Sequence, residues 1–174
     1  MERFSKVVEH WAAIYKPMQH TPEKTGRNRR FFLFDSIVSI PQFMSKIEVT
    51  KSPCVGFEFH REGNISGGKA MPVYTIYFLV NAGTMNITDK EAADDAVAEA
   101  ENHMMKFLAW TRRQQEEKNE LRGLDLNNVS YSTYGPFLNN WYSVFLQVRD
   151  VTLFNVCVDE NDYVEETNLN DIEG

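Results

Sequence analysis

The run Gly63-Asn64-Ile65-Ser66-Gly67-Gly68-Lys69-Ala70 is the segment whose residue types come closest to a known chemistry. Its spacing matches G-x-x-x-x-G-K, a pattern in which backbone amides and the lysine hold phosphates. That pattern also needs Ser or Thr after the lysine to bind magnesium, and this chain has Ala70 there. A helix must then follow, whereas Met71-Pro72 leads into an apolar strand. We therefore predict a flexible hairpin tip and no nucleotide site.

The histidines and cysteines do not predict a metal site. No H-E-x-x-H pair is formed by His10, His20, His60 and His103. Cys54 and Cys157 are too few for a cysteine-rich zinc site or a disulfide framework, and each lies in an apolar, strand-like stretch. We expect two buried thiols and neither a resident metal nor a cofactor, although ligands from distant segments can still meet in a fold.

A group of acidic residues is the remaining candidate for catalysis. It comprises Asp94, Asp95, Glu99 and Glu101. These residues lie in a helical pattern, mostly off its apolar stripe, so a solvated helix face explains them better than a catalytic pair. The chain has no G-x-S-x-G elbow and no dinucleotide fingerprint. We predict that it is not an enzyme, but triads are recognised by geometry, so an active site without a motif stays open.

The elements that must position these residues predict an α+β fold, with a mainly antiparallel sheet packed by one long helix and a short N-terminal helix. Apolar periodicity predicts helices over 2–16 and 88–121. Apolar or alternating runs predict strands over 31–40, 43–50, 54–61, 72–81, 141–148 and 151–158.

Glycine and proline predict the connections between these strands. The glycines in 62–69 predict a loop that joins two flanking strands into a long hairpin. Ser52-Pro53 is expected to break the preceding run, and residues 131–140 are expected to form a loop. The last two strands form either a tight hairpin at Arg149-Asp150 or one bent strand.

The long helix has the clearest sequence signals. Thr88 and Glu91 fit a capping box, and Ile87 is placed to staple onto Ala92. The predicted inward stripe comprises Ala93, Ala96, Val97, Ala100, Met104, Phe107, Leu108 and Thr111. Residues 112–118 are wholly polar, so this end is expected to project into solvent or to meet a partner.

Charge is distributed unevenly along the 174 residues. Residues 159–174 hold seven of the 25 acids and no Lys or Arg, which leaves 18 acids against 18 bases in residues 1–158. We predict one domain over 1–158 and a loose acidic tail over 159–174. A neutral body argues against broad or sequence-specific nucleic-acid binding, which needs a basic footprint. The longest apolar run, 73–80, is too short to span a membrane.

A basic cluster before the first predicted strand could contact nucleic acid, form a solvated loop or pair with the acidic tail. Its members are Lys24, Arg27, Arg29 and Arg30. A chain with one basic loop and one acidic tail can pair head to tail with copies of itself, and such contacts close into a ring when the rotation permits. The interface candidates are these four residues together with Arg61, Asn64, Lys69, Arg112, Arg113, Asp159, Glu160 and Asp162.

The layout over residues 2–158 resembles the tail-terminator and tail-completion proteins of tailed-bacteriophage necks. Three local patterns carry the resemblance: residues 53–59 (PCVGFEF) resemble the strand entering the hairpin, 74–80 (YTIYFLV) the returning strand, and 139–146 (NNWYSVFL) the late strand after an exposed turn. The long loop over 17–30 and the acidic tail depart from the family pattern.

This resemblance implies a structural protein of the virion, made in the cytoplasm of a bacterial host. Such proteins form a ring, typically of six subunits, that caps the tail tube and joins it to the head. The expected partners are other copies of the chain, the tail-tube protein and the head-connector proteins. The hairpin loop over 61–70 would reach a neighbour or the tube.

Two other function classes stay open. One is a small-ligand or enzyme domain with an apolar cavity lined by Trp11, Phe57, Phe78 and Trp141. The other is a bacterial adaptor or immunity protein that binds a basic partner through residues 159–174 and is weakened by salt.

Overall fold

The computed structural model describes residues 2–21, 29–34, 40–58, 62–66, 69–83, 90–118, 121–138, 140–151 and 154–155. Within these ranges the helices are α1 (Glu2–Ile14), α2 (Ile40–Glu48) and α3 (Lys90–Lys118). The strands are β1 (Arg29–Phe34), β2 (Thr50–Glu58), β3 (Glu62–Ser66), β4 (Lys69–Asn81), β5 (Leu124–Phe137), β6 (Trp141–Asp150) and β7 (Phe154–Asn155). The predicted α+β class is confirmed.

One mainly antiparallel sheet organises the molecule. Its strand order is β1-β2-β4-β6-β5, and β3 and β7 pair with β4 beside this path. The β1–β2 pair is parallel, and every other described pair is antiparallel. Among the described strands, β1 and β5 therefore lie at the two edges of the sheet.

The predicted long hairpin is present, but its loop is much shorter than expected. Strand β2 pairs with β4 from Cys54 opposite Leu79 to Phe57 opposite Ile76. Residues 62–66, predicted as loop, form β3 and pair with β4 as far as Ser66 opposite Lys69. The glycine content predicted a loop here, but cross-strand hydrogen bonds can hold a glycine-containing segment as a strand in spite of its weak strand propensity.

The second predicted strand, 43–50, is wrong, because residues 40–48 form helix α2. Phe43 and Ile47 are four residues apart, a spacing that fits one helix face as well as one strand face. Pro41 lies in the first turn of α2, where its missing N–H removes no hydrogen bond. The strand predicted over 31–40 accordingly ends at Phe34 as β1, residues 35–39 lie outside the described ranges, and Ile40 begins α2.

The predicted break at Ser52-Pro53 is also wrong, since β2 runs through it. The β1–β2 register jumps from Arg29 opposite Thr50 to Phe31 opposite Val55, so Pro53 lies in a bulge. A proline is tolerated there because the bulge leaves residues out of the hydrogen-bond ladder.

The predicted loop over 131–140 is wrong as well, because residues up to Phe137 belong to β5. Tyr131 pairs with Leu146, and Thr133 pairs with Val144. The Gly135-Pro136 step lies at a register shift near the end of this last strand, where proline is tolerated. Strand β7 pairs with β4 in the same direction as β6 does, with Phe154 opposite Ala70. This pairing favours one bent strand over a tight hairpin at Arg149-Asp150.

The larger hydrophobic core lies between the sheet and helices α1 and α3. Phe4, Val8 and Trp11 from α1 pack there against the sheet. The predicted stripe of α3 is confirmed, since all eight of its residues are buried or half-buried on this side. Helix α3 begins at Lys90 and ends at Lys118, inside the predicted bounds, and the capping residues Ile87 and Thr88 lie outside the described ranges.

A smaller core lies on the opposite face, under α2. Its buried members are Phe32, Ile47, Cys54, Leu79 and Trp141. Strand β2 is therefore buried on both faces rather than on the one face that its alternation predicted. Gly56 makes this packing possible, because a Cβ atom there would lie 2.8 Å from Cζ of Phe32.

Candidate functional site

The residues of the predicted basic interface do not act together in the structure, and Arg30 has a structural role. Its guanidinium donates to the backbone oxygens of Lys51 at 3.3 Å, of Ser52, and of Pro53 at 2.9 Å. These contacts fasten the start of β1 to the bulge of β2. Arg30 is therefore not a free interface residue, while Arg29 precedes it in β1 and is half-buried.

The other predicted interface residues do not form one described surface. Arg112 and Arg113 are exposed near the end of α3, where Nε of Arg113 lies 2.7 Å from Oε1 of Glu117. Asn64 and Lys69 lie in the paired arms of the β3–β4 hairpin. The remaining candidates, which lie outside the described ranges, are Lys24, Arg27, Arg61, Asp159, Glu160 and Asp162. The pairing of basic loop and acidic tail stays a prediction.

Strand β5 is a feature that the sequence reasoning missed. It pairs with β6 on one side, and no strand pairs with its other side among the described residues. Residues 127–136 are exposed, except for the half-buried Val129. The signal that pointed to a strand is the run of Tyr, Thr and Val between 129 and 134, since these residues favour strands.

Two tyrosines of β5 point to opposite faces of the sheet. Tyr131 lies opposite Leu146, which belongs to the core under α1 and α3, and Tyr134 lies opposite Ser143 on the other face. Residues directly opposite each other share a face. The exposed fractions are 54% for Tyr131 and 65% for Tyr134. Neither sheet face is therefore fully covered at these two positions of β5.

The uncovered edge also lacks charge. Residues 126–137 contain no Asp, Glu, Lys or Arg. Soluble proteins usually protect an edge strand with charges, proline or bulges, because its free N–H and C=O groups can pair with another chain. Here the register against β6 shifts between Asp125 and Ser130 and again between Tyr134 and Phe137, beside Pro136, so the regularly paired stretch of the edge is 130–134. The arrangement can accept a further strand.

The sheet face beside this edge carries an aromatic array that α2 covers only in part. Tyr77 and Phe145 are cross-strand neighbours with ring centroids 5.9 Å apart. The Tyr77 hydroxyl donates to Oε2 of Glu58 at 3.0 Å, and burial followed by the Glu58 charge raises the pKa of Tyr77. Nearby, the buried Ser143 hydroxyl has no hydrogen-bond partner among the described residues.

A chain of polar groups joins α1 to α3. The Tyr15 hydroxyl lies 3.0 Å from Nδ1 of His103, and Nε2 of His103 lies 3.3 Å from Oε1 of Glu99. The carboxylate accepts, so Nε2 carries the proton and Nδ1 accepts from Tyr15. Burial lowers the pKa of His103, and Glu99 opposes part of this shift. The chain fixes the end of α1 against α3.

Most of the acidic residues predicted to lie on a solvated helix face are exposed. Asp94, Asp95 and Glu99 are exposed, and Glu101 is half-buried. Glu99 and Asp95 line a cleft of about 370 Å³ beside the end of β4. Within the described ranges, no group of three or more His, Cys, Asp or Glu residues is placed to hold a metal ion.

Cys54 is a buried free thiol, as predicted. Its Sγ donates to Oγ1 of Thr50 at 3.5 Å, and burial raises the pKa of the thiol to about 12. A thiol that stays protonated is a poor nucleophile. Cys157 lies outside the described ranges.

The residues proposed to line an apolar cavity do not surround a common space. Trp11, Phe57 and Phe78 are buried in the core under α1 and α3, with the Trp11 and Phe78 rings 5.9 Å apart. Trp141 belongs to the core on the other face of the sheet. The sheet itself separates them.

Comparison with protein-family models, with curated proteins and with solved structures found no match to this chain. None of the helices in the described part of the chain combines the length and the apolar character that crossing a membrane requires.

Proposed function

We propose that this chain is a non-catalytic structural protein of a phage-like particle. Copies of it assemble into a ring that terminates the tail tube and joins the tube to the head. The order of elements supports this proposal. Apart from helix α2, which lies between β1 and β2, the short N-terminal helix, strands, long hairpin, long helix and closing strands follow the layout that the neck proteins suggest.

The observation that carries the proposal is that no described residue pairs with the outer edge of β5. Helices α1 and α3 cover one face, and α2 covers part of the other, where its Phe43 contacts Tyr77 of β4 and Phe137 of β5. Residues 127–136 of β5 are exposed except for the half-buried Val129, and residues 126–137 carry no charge. A surface of this kind is expected where a neighbouring subunit completes the fold.

The test is to mix the purified full-length chain with tail tubes assembled from the tube protein of the same particle. We expect ring-shaped density at one end of each tube by negative-stain electron microscopy, and we expect the capped tubes to stop elongating when free tube protein is added. Tubes incubated with buffer alone are the control. Bare tube ends and unchanged elongation would contradict the proposal.

A further inference from the structure

We propose that the outer edge of β5 receives an extended segment of a neighbouring copy, which adds a strand to the sheet. This inference rests on the proposed self-assembly and names the surface that carries it. The chemistry is main-chain hydrogen bonding along the edge, with side-chain contacts on both faces of the sheet.

The exposure pattern identifies an edge rather than a face as the contact. Tyr131 and Tyr134 point to opposite sides of the sheet, and each is more than half exposed. A partner that docked on one face would leave one tyrosine uncovered. An added strand places its side chains beside both, because successive residues of a strand alternate between the faces.

The opposite end of the sheet does not share this character. Strand β1 begins with Arg29 and Arg30, and its Phe31 and Phe32 are only 5% and 3% exposed. Strand β5 has ten consecutive residues, 127–136, of which nine are exposed and none is charged. Of these two strands at the sheet ends, β5 has the longer run of exposed residues.

Charge favours a second copy as the occupant. Residues 1–158 hold 18 acids against 18 bases, so the bodies of two copies do not repel each other through net charge. A charge-free edge lets them approach without placing like charges opposite each other. The same edge has no charge with which to select a basic or acidic foreign partner.

Single lysine substitutions test this edge. Tyr131→Lys and Tyr134→Lys each place a charge on it, and Met105→Lys is the matched control, since Met105 is 58% exposed on α3. We expect each tyrosine variant to need at least a tenfold higher protein concentration for half-assembly, measured by light scattering. Met105→Lys should assemble as the unmodified chain does. Circular dichroism checks that each variant is folded.

Hydrogen exchange on the unmodified full-length chain provides a second readout that needs no substitution. Peptides covering residues 127–134 should exchange at least tenfold more slowly in the assembly than in dissociated protein. An assembly in which these amides exchange as fast as in the monomer would overturn the β5 contact while leaving self-assembly intact. A chain that never assembles would instead overturn the proposed ring, and the β5 contact with it.

Discussion

Arg30 shows how a residue predicted for an interface can serve the fold. Its acceptors are three consecutive carbonyl oxygens at residues 51–53, where the β2 bulge turns them toward β1. We predict that Arg30→Met lowers the free energy of unfolding by about 1–3 kcal/mol, because hydrogen bonds from a charged donor are lost. Arg29→Met, one residue earlier, should change it by less than about 0.5 kcal/mol. Urea unfolding measures both, and equal losses would contradict this role.

His103 should make stability depend on pH. Its folded-state pKa is lowered below the ordinary value of about 6.5, so the folded state favours the neutral imidazole. The resulting stabilisation is complete above that ordinary value and is lost as the pH falls through the folded-state pKa. We predict that the unmodified chain loses more unfolding free energy between pH 7.5 and pH 5 than His103→Gln does, by up to about 1.4 kcal/mol per pH unit.

A His103→Gln protein with the same pH dependence as the unmodified chain would show that His103 does not titrate with unfolding.

The residue scale also shows where sequence reasoning ends. The burial of Cys54 was predictable, because its neighbours along the chain are apolar. The roles of Arg30 and of the Tyr15–His103–Glu99 chain were not, since Tyr15 and His103 are 88 positions apart and Arg30 lies more than 20 positions from its acceptors. Only the folded arrangement of strands and helices brings these groups together.

At the scale of elements, the end of α3 depends on Gln115. Its Nε2 donates to the backbone oxygen of Leu121 at 2.7 Å and to that of Leu124 at 2.9 Å, which ties the helix to the start of β5. We predict that Gln115→Ala lowers the free energy of unfolding by about 1–2 kcal/mol. Gln114→Ala, which removes the same side-chain type one position earlier, should cost less than half as much. Urea unfolding compares them, and equal effects would exclude this role.

Elements with a local signal were predictable, and elements defined by distant partners were not. The stripe of α3 repeats over many turns, so its period alone identified the helix and its buried face. Helix α2 is only nine residues long, and its apolar residues fit both a helix and a strand. Strand β5 contains turn-forming residues, and its strand character depends on pairing with β6. The sequence therefore pointed away from the edge now proposed for assembly.

At the scale of the whole molecule, the helices and the two cores cover one part of the sheet and leave another part exposed. The helices protect β1, β2, β4, β6 and the start of β5, and the sheet extends past them over residues 127–136. An uncharged, exposed edge is a hazard for a protein that stays monomeric, because it invites uncontrolled pairing. It becomes useful in a protein whose copies meet at a defined position. The ring proposal and the β5 contact are consistent with each other for this reason.

The central claim is that copies of the chain assemble into a closed ring. The most direct test is the native mass of the full-length protein, measured by light scattering over a concentration series, alone and with tail-tube protein. We predict a mass that rises to a plateau at a fixed multiple of 20.2 kDa, six being the number that the neck proteins suggest. A mass of 20.2 kDa at every concentration, unchanged by tail-tube protein, would contradict the account.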